Sequence, residues 1–233
     1  MYEITQIRKL SLWIFFTPLI AINLCLIISQ NPEFLENTIF TVDQIGRSGF
    51  SIPYLDGSLS ISRASRTFPQ YLIFKPAMIL TSIFLYLYWV NNNTLINSLN
   101  LSNINYKFRT FGILSAFFLA IHSIFLGIKF DLQIYKLSRR VVLVLFIVFE
   151  IIAQGLLVYH LYKLKIKLKE LIEQKVLIYK LILVLILSSV AVLSIPMLIT
   201  KGNTHFKHAL EWNYFVGVII FYLLSRLFWR RTT

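Results

Sequence analysis

The chain has 233 residues, of which 57% are hydrophobic and 14% charged, and its mean hydropathy is +0.71. Soluble globular chains usually contain about 45–50% apolar residues, so this composition excludes an ordinary soluble domain and predicts extensive contact with lipid. The net charge of +13 would suit nucleic acid if the protein were soluble. Here the basic residues stand at the ends of apolar stretches, where they meet lipid phosphate. The predicted partners are therefore membrane lipids and not nucleic acid.

Six apolar segments follow one another along the chain, each close to the ~20 residues that a helix needs to cross about 30 Å of hydrocarbon. Because lipid offers the backbone no hydrogen-bond partner, each segment is expected to be an α-helix. The sequence predicts an all-α, polytopic membrane protein, a six-transmembrane-helix bundle forming one membrane domain over 1–233. The segments cover 10–29, 70–90, 110–130, 141–162, 178–200 and 212–229.

Aromatic residues support these segment boundaries. The four tryptophans stand near segment ends, as expected of rings that lie between lipid headgroups and tails. They are Trp13, Trp89, Trp212 and Trp229.

The connections between the segments differ in character. The first, 30–69, is long and contains Pro53 and Asp56-Gly57, which favour turns, so an irregular extramembrane loop is predicted. Between the fourth and fifth segments, lysines alternate with leucines over 163–170. Leu164, Leu168, Leu171 and Ile172 would share one helical face, which suits a helix at an anionic membrane surface. A solvated basic loop is the alternative.

Lysine and arginine near the segment ends indicate the orientation, since cytoplasmic flanks are enriched in them. Both termini are predicted to be cytoplasmic. That side would then hold Arg8, Lys9, Lys107, Arg109, the five lysines of 163–175, Arg230 and Arg231, and the other side Arg47, Arg63, Arg66, Lys136, Arg139, Arg140, Lys201 and Lys207.

Polar residues inside the apolar segments are costly and are therefore candidates for function. Glu150 lies in the middle of the fourth segment, with Gln154 one turn later on the same face. His122 in the third segment and His208 before the sixth are weaker candidates. Each of these residues has two interpretations: it lines a functional polar cavity, or it forms a hydrogen bond that sets helix packing.

No linear motif for catalysis or for a cofactor is present. The sequence has no nucleophile elbow, phosphate loop or dinucleotide fingerprint, and no cofactor is predicted. His205, His208 and Glu211 have helical spacing, but no wider ligand pattern supports a metal site. The single cysteine, Cys25, excludes an intrachain disulfide.

Two short stretches resemble the six-helix Frag/DRAM/Sfk family of membrane proteins. The first is Pro53-Tyr-Leu-Asp-Gly-Ser-Leu-Ser-Ile-Ser-Arg63 with Pro69-Gln-Tyr-Leu-Ile-Phe-Lys75, which leads into the second segment. The second is Phe206-Lys-His-Ala-Leu-Glu-Trp212, which opens the sixth. The resemblance implies a long extracytoplasmic first loop and a role in the handling or regulation of membrane lipid.

The favoured hypothesis is a non-enzymatic protein that binds or organises lipid in a pocket between the first loop and the sixth helix. Arg63 and Lys75 would pair with lipid phosphate, and Glu211 would anchor one of them; alternatively, Glu211 merely pins the loop to the bundle. A lipid-modifying enzyme with Glu150 or His208 as base, and a small transporter, are the other hypotheses. The residues expected to line the pocket are Tyr54, Asp56, Ser60, Ser62, Arg63, Lys75 and Glu211.

Overall fold

The computed structural model describes residues 2–35, 38–40, 50–98, 107–128, 133–200 and 202–230. Residues 36–37 and 41–49 of the predicted first loop lie outside these ranges. Eight α-helices and one 3-10 helix, Pro32–Leu35, occur in the described part of the chain. The α-helices are α1 (Tyr2–Gln30), α2 (Pro53–Asp56), α3 (Ile61–Ser65), α4 (Gln70–Ser98), α5 (Lys107–Phe125), α6 (Gln133–Lys163), α7 (Gln174–Ile199) and α8 (Thr204–Phe228).

Six of these helices, α1 and α4 to α8, are long and apolar enough to cross a membrane. They overlap the six apolar segments, so the all-α, six-helix prediction is confirmed and the protein is an integral membrane protein. Several helices begin before the predicted segments: α8 begins at Thr204 rather than 212, and α6 at Gln133 rather than 141. The third segment was predicted to run to 130, which is wrong, because α5 ends at Phe125. At 1.5 Å per residue, the 31 residues of α6 reach about 46 Å, well beyond the hydrocarbon.

The six long helices form a closed ring. Each of α4 to α8 packs against the long helix before it in the chain, and α8 returns to pack against α1. Side chains of α4, α5, α6 and α8 meet inside the ring, whereas outward positions such as Val192 and Leu193 are left to face lipid. Each helix satisfies its own backbone hydrogen bonds, and the ring shields polar side chains such as Glu150 from lipid.

The two ends of the ring differ. The end that carries α2 and α3 is called the loop end, and the end at which the chain starts and finishes is called the terminal end. At the terminal end, 164–172 forms a series of hydrogen-bonded turns with Leu168 and Ile172 buried. Ile172 pairs with Trp229, whose carbonyl also accepts a hydrogen bond from Arg8. The predicted apolar face therefore points inward, on turns rather than a regular helix.

The interpretation of the tryptophans as an interfacial belt is wrong for three of the four. Trp89, Trp212 and Trp229 are at most 1% exposed, and only Trp13 is open at 51%. The buried three lie on the inward faces of the bundle or under the loops, where a large ring fills space between helices. Position near a segment end did not distinguish a lipid-facing ring from a buried one.

Candidate functional site

A segment of the first loop is held against α8 by hydrogen bonds between side chains of the helix and backbone carbonyls of the loop. Residues 53–65, called the cap, present three backbone carbonyls to one face of α8, and three side chains of that helix meet them. The pairs are Asn213 Nδ2 to Tyr54 at 2.7 Å, His208 Nδ1 to Gly57 at 3.0 Å and Trp212 Nε1 to Leu59 at 2.7 Å.

Gly57 permits the closest approach between the cap and α8. It ends α2 in the left-handed conformation, with φ of 60°, and its N–H donates to the carbonyl of Pro53 at 3.1 Å. A Cβ at this position would overlap the backbone carbonyl of His205 in α8. Glycine thus meets two requirements at once, the positive φ and the missing side chain.

Two of the predicted pocket residues, Tyr54 and Asp56, have structural partners within or beside the cap. The hydroxyl of Tyr54 donates to Asn23 of α1 at 3.1 Å, and its ring packs on Trp212. The carboxylate of Asp56 accepts from the N–H groups of Ile52 and Ser58, both at 2.8 Å. The hydrogen bond from the Ser58 backbone holds the pKa of Asp56 below its usual value.

The remaining predicted residues lie around α3 and at the start of α4. Ser60 caps α3 by accepting from the N–H of Arg63 at 3.2 Å. The carboxylate of Glu211 faces the backbone N–H groups of Ile61 and of half-buried Ser62. In the described part of the chain Glu211 forms no ion pair with Arg63, nor with Lys75, whose ammonium lies over Tyr71.

Three arginines gather at the loop end, two of which were not among the predicted pocket residues. Arg63, Arg66 and Arg139 come from α3, the following turn and α6, and this set is called the arginine cluster. Partial burial, and then the positive charges of Arg63 and Arg139, lower the pKa of Arg66. Among the described residues none of the three pairs with a carboxylate.

Two nitrogen atoms in and beside the arginine cluster have no hydrogen-bond partner among the residues that the structure describes. They are Nε of Arg139 and Nδ1 of His122, both of them buried. His122 lies on α5, within electrostatic reach of Arg139 on α6. Buried polar atoms usually have partners, so the loop end has unused hydrogen-bonding capacity, which at Arg139 Nε is that of a donor.

Glu150 lies at the centre of a second polar group, inside the ring. It is fully buried, and its carboxylate receives hydrogen bonds from three helices. The indole N–H of Trp89 on α4 also faces it. The donors are Ser115 of α5 at 2.6 Å, Gln154 of α6 at 2.9 Å and the hydroxyl of Tyr222 of α8.

Lys180 extends this polar group toward the terminal end. It is also fully buried, and its ammonium donates to Ser225 Oγ at 2.8 Å while lying 4.1 Å from the ring centre of Phe221. Tyr88 donates to the same serine oxygen at 2.9 Å and packs edge to face on the ring of Tyr222, 5.0 Å away. Glu150 and Lys180 are therefore connected through Tyr222, Tyr88 and Ser225.

The sequence predicted only part of this buried set. Glu150 and Gln154 were identified, and they are hydrogen-bonded to each other as their spacing suggested. Lys180 was missed although its signal was present, since a lysine inside an apolar segment is a candidate by default. Ser115 and Tyr222 carried no such signal, because hydroxyl side chains are common in membrane helices.

The fold and these contacts define a polytopic α-helical membrane protein with a hydrogen-bonded polar core and a cap on one end. Comparisons with protein-family models, curated proteins and solved structures gave no match. The resemblance to the Frag/DRAM/Sfk family stays a prediction from two short motifs.

Proposed function

We propose that this protein binds anionic membrane lipid through the arginine cluster at the loop end, without catalysing a reaction. The observation that carries the proposal is the gathering of Arg63, Arg66 and Arg139 with no carboxylate partner in the described residues. Like charges held together repel one another, and an anion between them would remove that repulsion. Guanidinium groups pair with phosphate through two parallel hydrogen bonds, which makes a lipid phosphate the matching ligand.

Other contacts favour binding over catalysis. The two residues that an enzyme would use as a base are Glu150 and His208. Glu150 is fully buried and accepts three hydrogen bonds, and Nδ1 of His208 is engaged with the carbonyl of Gly57. In the proposed site Arg63 and Lys75 contact the headgroup, while Tyr54 and Glu211 hold the cap in place.

The variants Arg66→Gln and Arg139→Gln test the lipid site. Each removes one charged hydrogen-bond donor, a loss of about 1.5–3 kcal/mol, so retention of phosphatidylglycerol should fall roughly 10- to 100-fold. Native mass spectrometry of protein purified from nanodiscs with phosphatidylglycerol and phosphatidylcholine measures it. Arg140→Gln is the matched control, because Arg140 is the exposed neighbour on the same helix. Equal retention of phosphatidylglycerol in all three variants contradicts the proposal.

We further propose that the terminal end faces the cytoplasm. The support is the group of lysines at 163–169, which are largely exposed beside the turns that close this end, in agreement with the enrichment of basic residues in cytoplasmic loops.

Cysteine labelling in intact cells tests this orientation. Leu55→Cys and Ile166→Cys place a thiol at positions that are each 81% exposed, at the loop end and the terminal end. A membrane-impermeant maleimide should label Leu55→Cys in intact cells and Ile166→Cys only after permeabilisation. The parent protein is the control, since Cys25 is buried with its thiol on the carbonyl of Gln70. The reverse pattern would refute the orientation, and labelling of both from one side would refute six crossings.

A further inference from the structure

We propose that Glu150 is a reversible proton-binding site inside the membrane, and that Lys180 supplies the positive charge that balances its ionised form. The proposal is independent of lipid binding at the loop end. It starts from the hydrogen-bond geometry around the carboxyl group, which accommodates both the ionised and the protonated acid.

The Ser115 hydroxyl has a choice of acceptors. Its oxygen lies 2.6 Å from Oε2 of Glu150 and 2.8 Å from the carbonyl of Gly112, one turn earlier on α5. A hydroxyl carries one proton and can donate to only one acceptor at a time. When Glu150 is ionised, Ser115 donates to Oε2. When a proton binds Oε2, the new O–H donates to Ser115, which turns its own proton to Gly112.

The other carboxylate oxygen, Oε1, keeps the same hydrogen-bond donors whether Glu150 is ionised or protonated. Oε1 accepts from the amide of Gln154 at 2.9 Å and from the hydroxyl of Tyr222. Both groups donate to a carboxylate and to the carbonyl oxygen of a carboxylic acid alike. The two protonation states of Glu150 therefore differ only in the rotation of the Ser115 hydroxyl, and no helix has to move.

Lys180 is placed to balance the ionised state. Its ammonium is fully buried, donates to Ser225, and lies over the rings of Phe221 and Phe228 at 4.1 and 5.2 Å. Aromatic faces favour a cation, but a single buried charge in hydrocarbon is costly. When Glu150 is ionised, its negative charge balances the positive charge of Lys180. Loss of Lys180 would leave the carboxylate without a counter-charge.

The ionisable groups that face Glu150 are Tyr222 from α8 and, behind it, Tyr88 from α4. Lys180 from α7 follows on the far side of Tyr88, through Ser225. The other donors that face Glu150, Ser115, Gln154 and the indole N–H of Trp89, are neutral. Glu150 is thus the group that accepts an added proton, and the tyrosines stay donors throughout.

Infrared spectroscopy of the carboxylic C=O band tests the proposal. Every protonated carboxyl group absorbs here, and the chain has 10 Asp and Glu residues, so the Glu150 band is defined as the absorption that wild-type protein in nanodiscs shows in excess of Glu150→Gln at the same pH. This band should be present at low pH and lost at high pH. Lys180→Met should keep the band at all pH values at which the protein stays folded, because an ionised Glu150 would lack its counter-charge. Glu170→Gln, which removes an exposed carboxyl group, is the control and should leave the band unchanged.

Three results would overturn the inference. A wild-type band that does not respond to pH would show that Glu150 does not exchange its proton. A wild-type spectrum that matches that of Glu150→Gln at every pH would show that Glu150 does not take up a proton. Titration of the band in Lys180→Met as in wild type would remove Lys180 from the site. Circular dichroism of each variant distinguishes these outcomes from loss of the fold.

Discussion

Replacement of Gly57 by alanine is expected to destabilise the protein by about 2–5 kcal/mol. An L-residue in the left-handed conformation costs roughly 1–2 kcal/mol, and forcing a methyl group into a packed site costs about 1–3 kcal/mol more. Here the atom in the way is the backbone carbonyl of His205 in α8, which cannot rotate aside as a side chain can. The cap would have to leave the helix, and its hydrogen bonds to α8 would be lost.

Gly202→Ala is the matched control for Gly57→Ala. Gly202 also has a positive φ, 97°, but a Cβ there meets no atom within 4 Å. This variant should therefore show only the conformational cost, about 1–2 kcal/mol.

Thermal unfolding in detergent, followed by tryptophan fluorescence, measures both variants. For a chain of this size the midpoint should fall by about 2–4 °C per kcal/mol, hence by roughly 10 °C in Gly57→Ala. Limited proteolysis should also cut the cap of this variant in the native state. Equal midpoints for the two variants would mean that the cap does not depend on close contact with α8.

The membrane helices were predictable because a hydrocarbon layer imposes both their length and their composition. Helix ends were less predictable, because hydropathy identifies only the part of a helix that lies in hydrocarbon. The start of α8 shows this: Thr204 to Glu211 includes two histidines and a lysine, yet the residues are helical. Within this stretch the side chains of His208 and Glu211 contact the cap, and only the tertiary structure supplies those partners.

The same limit applies to the candidate sites. The loop motif drew attention to Tyr54, Asp56 and Ser60, and all three are engaged in the local structure of the cap or in its contact with α1. The arginine cluster instead joins Arg63 and Arg66, three residues apart, to Arg139, which lies more than 70 residues further along the chain. Such a grouping depends on how α3 and α6 meet at the loop end, and no sequence spacing encodes it.

The interior network shows where pattern reasoning succeeds. Glu150 and Gln154 are one helical turn apart, so their contact follows from helix geometry alone. The contacts of Glu150 with Ser115 and Tyr222 depend on the rotation of α5 and α8 inside the ring. They required the fold to be known.

The second large effect is expected at Glu150, where the replacing residue decides the outcome. In a fully buried site, Glu150→Leu leaves Tyr222 without its acceptor and leaves Gln154 with only the carbonyl of Val218 at 3.4 Å. A buried donor without a partner costs about 1–3 kcal/mol, somewhat less where the membrane-bound unfolded chain also finds partners. We therefore expect a loss of about 3 kcal/mol, seen as a midpoint lowered by roughly 6–12 °C.

Glu150→Gln should be far milder, with a loss below about 1 kcal/mol, because it mimics the protonated acid. The amide oxygen can accept from Tyr222 and from Gln154, and the amide nitrogen can donate to Ser115 in place of the carboxylic O–H. Glu170→Leu at an exposed position controls for removal of a carboxyl group and should change stability by less than about 0.5 kcal/mol. If Glu150→Leu unfolds at the same temperature as Glu150→Gln, hydrogen bonding to this side chain does not hold the helices together, since leucine keeps the volume and removes only the acceptor.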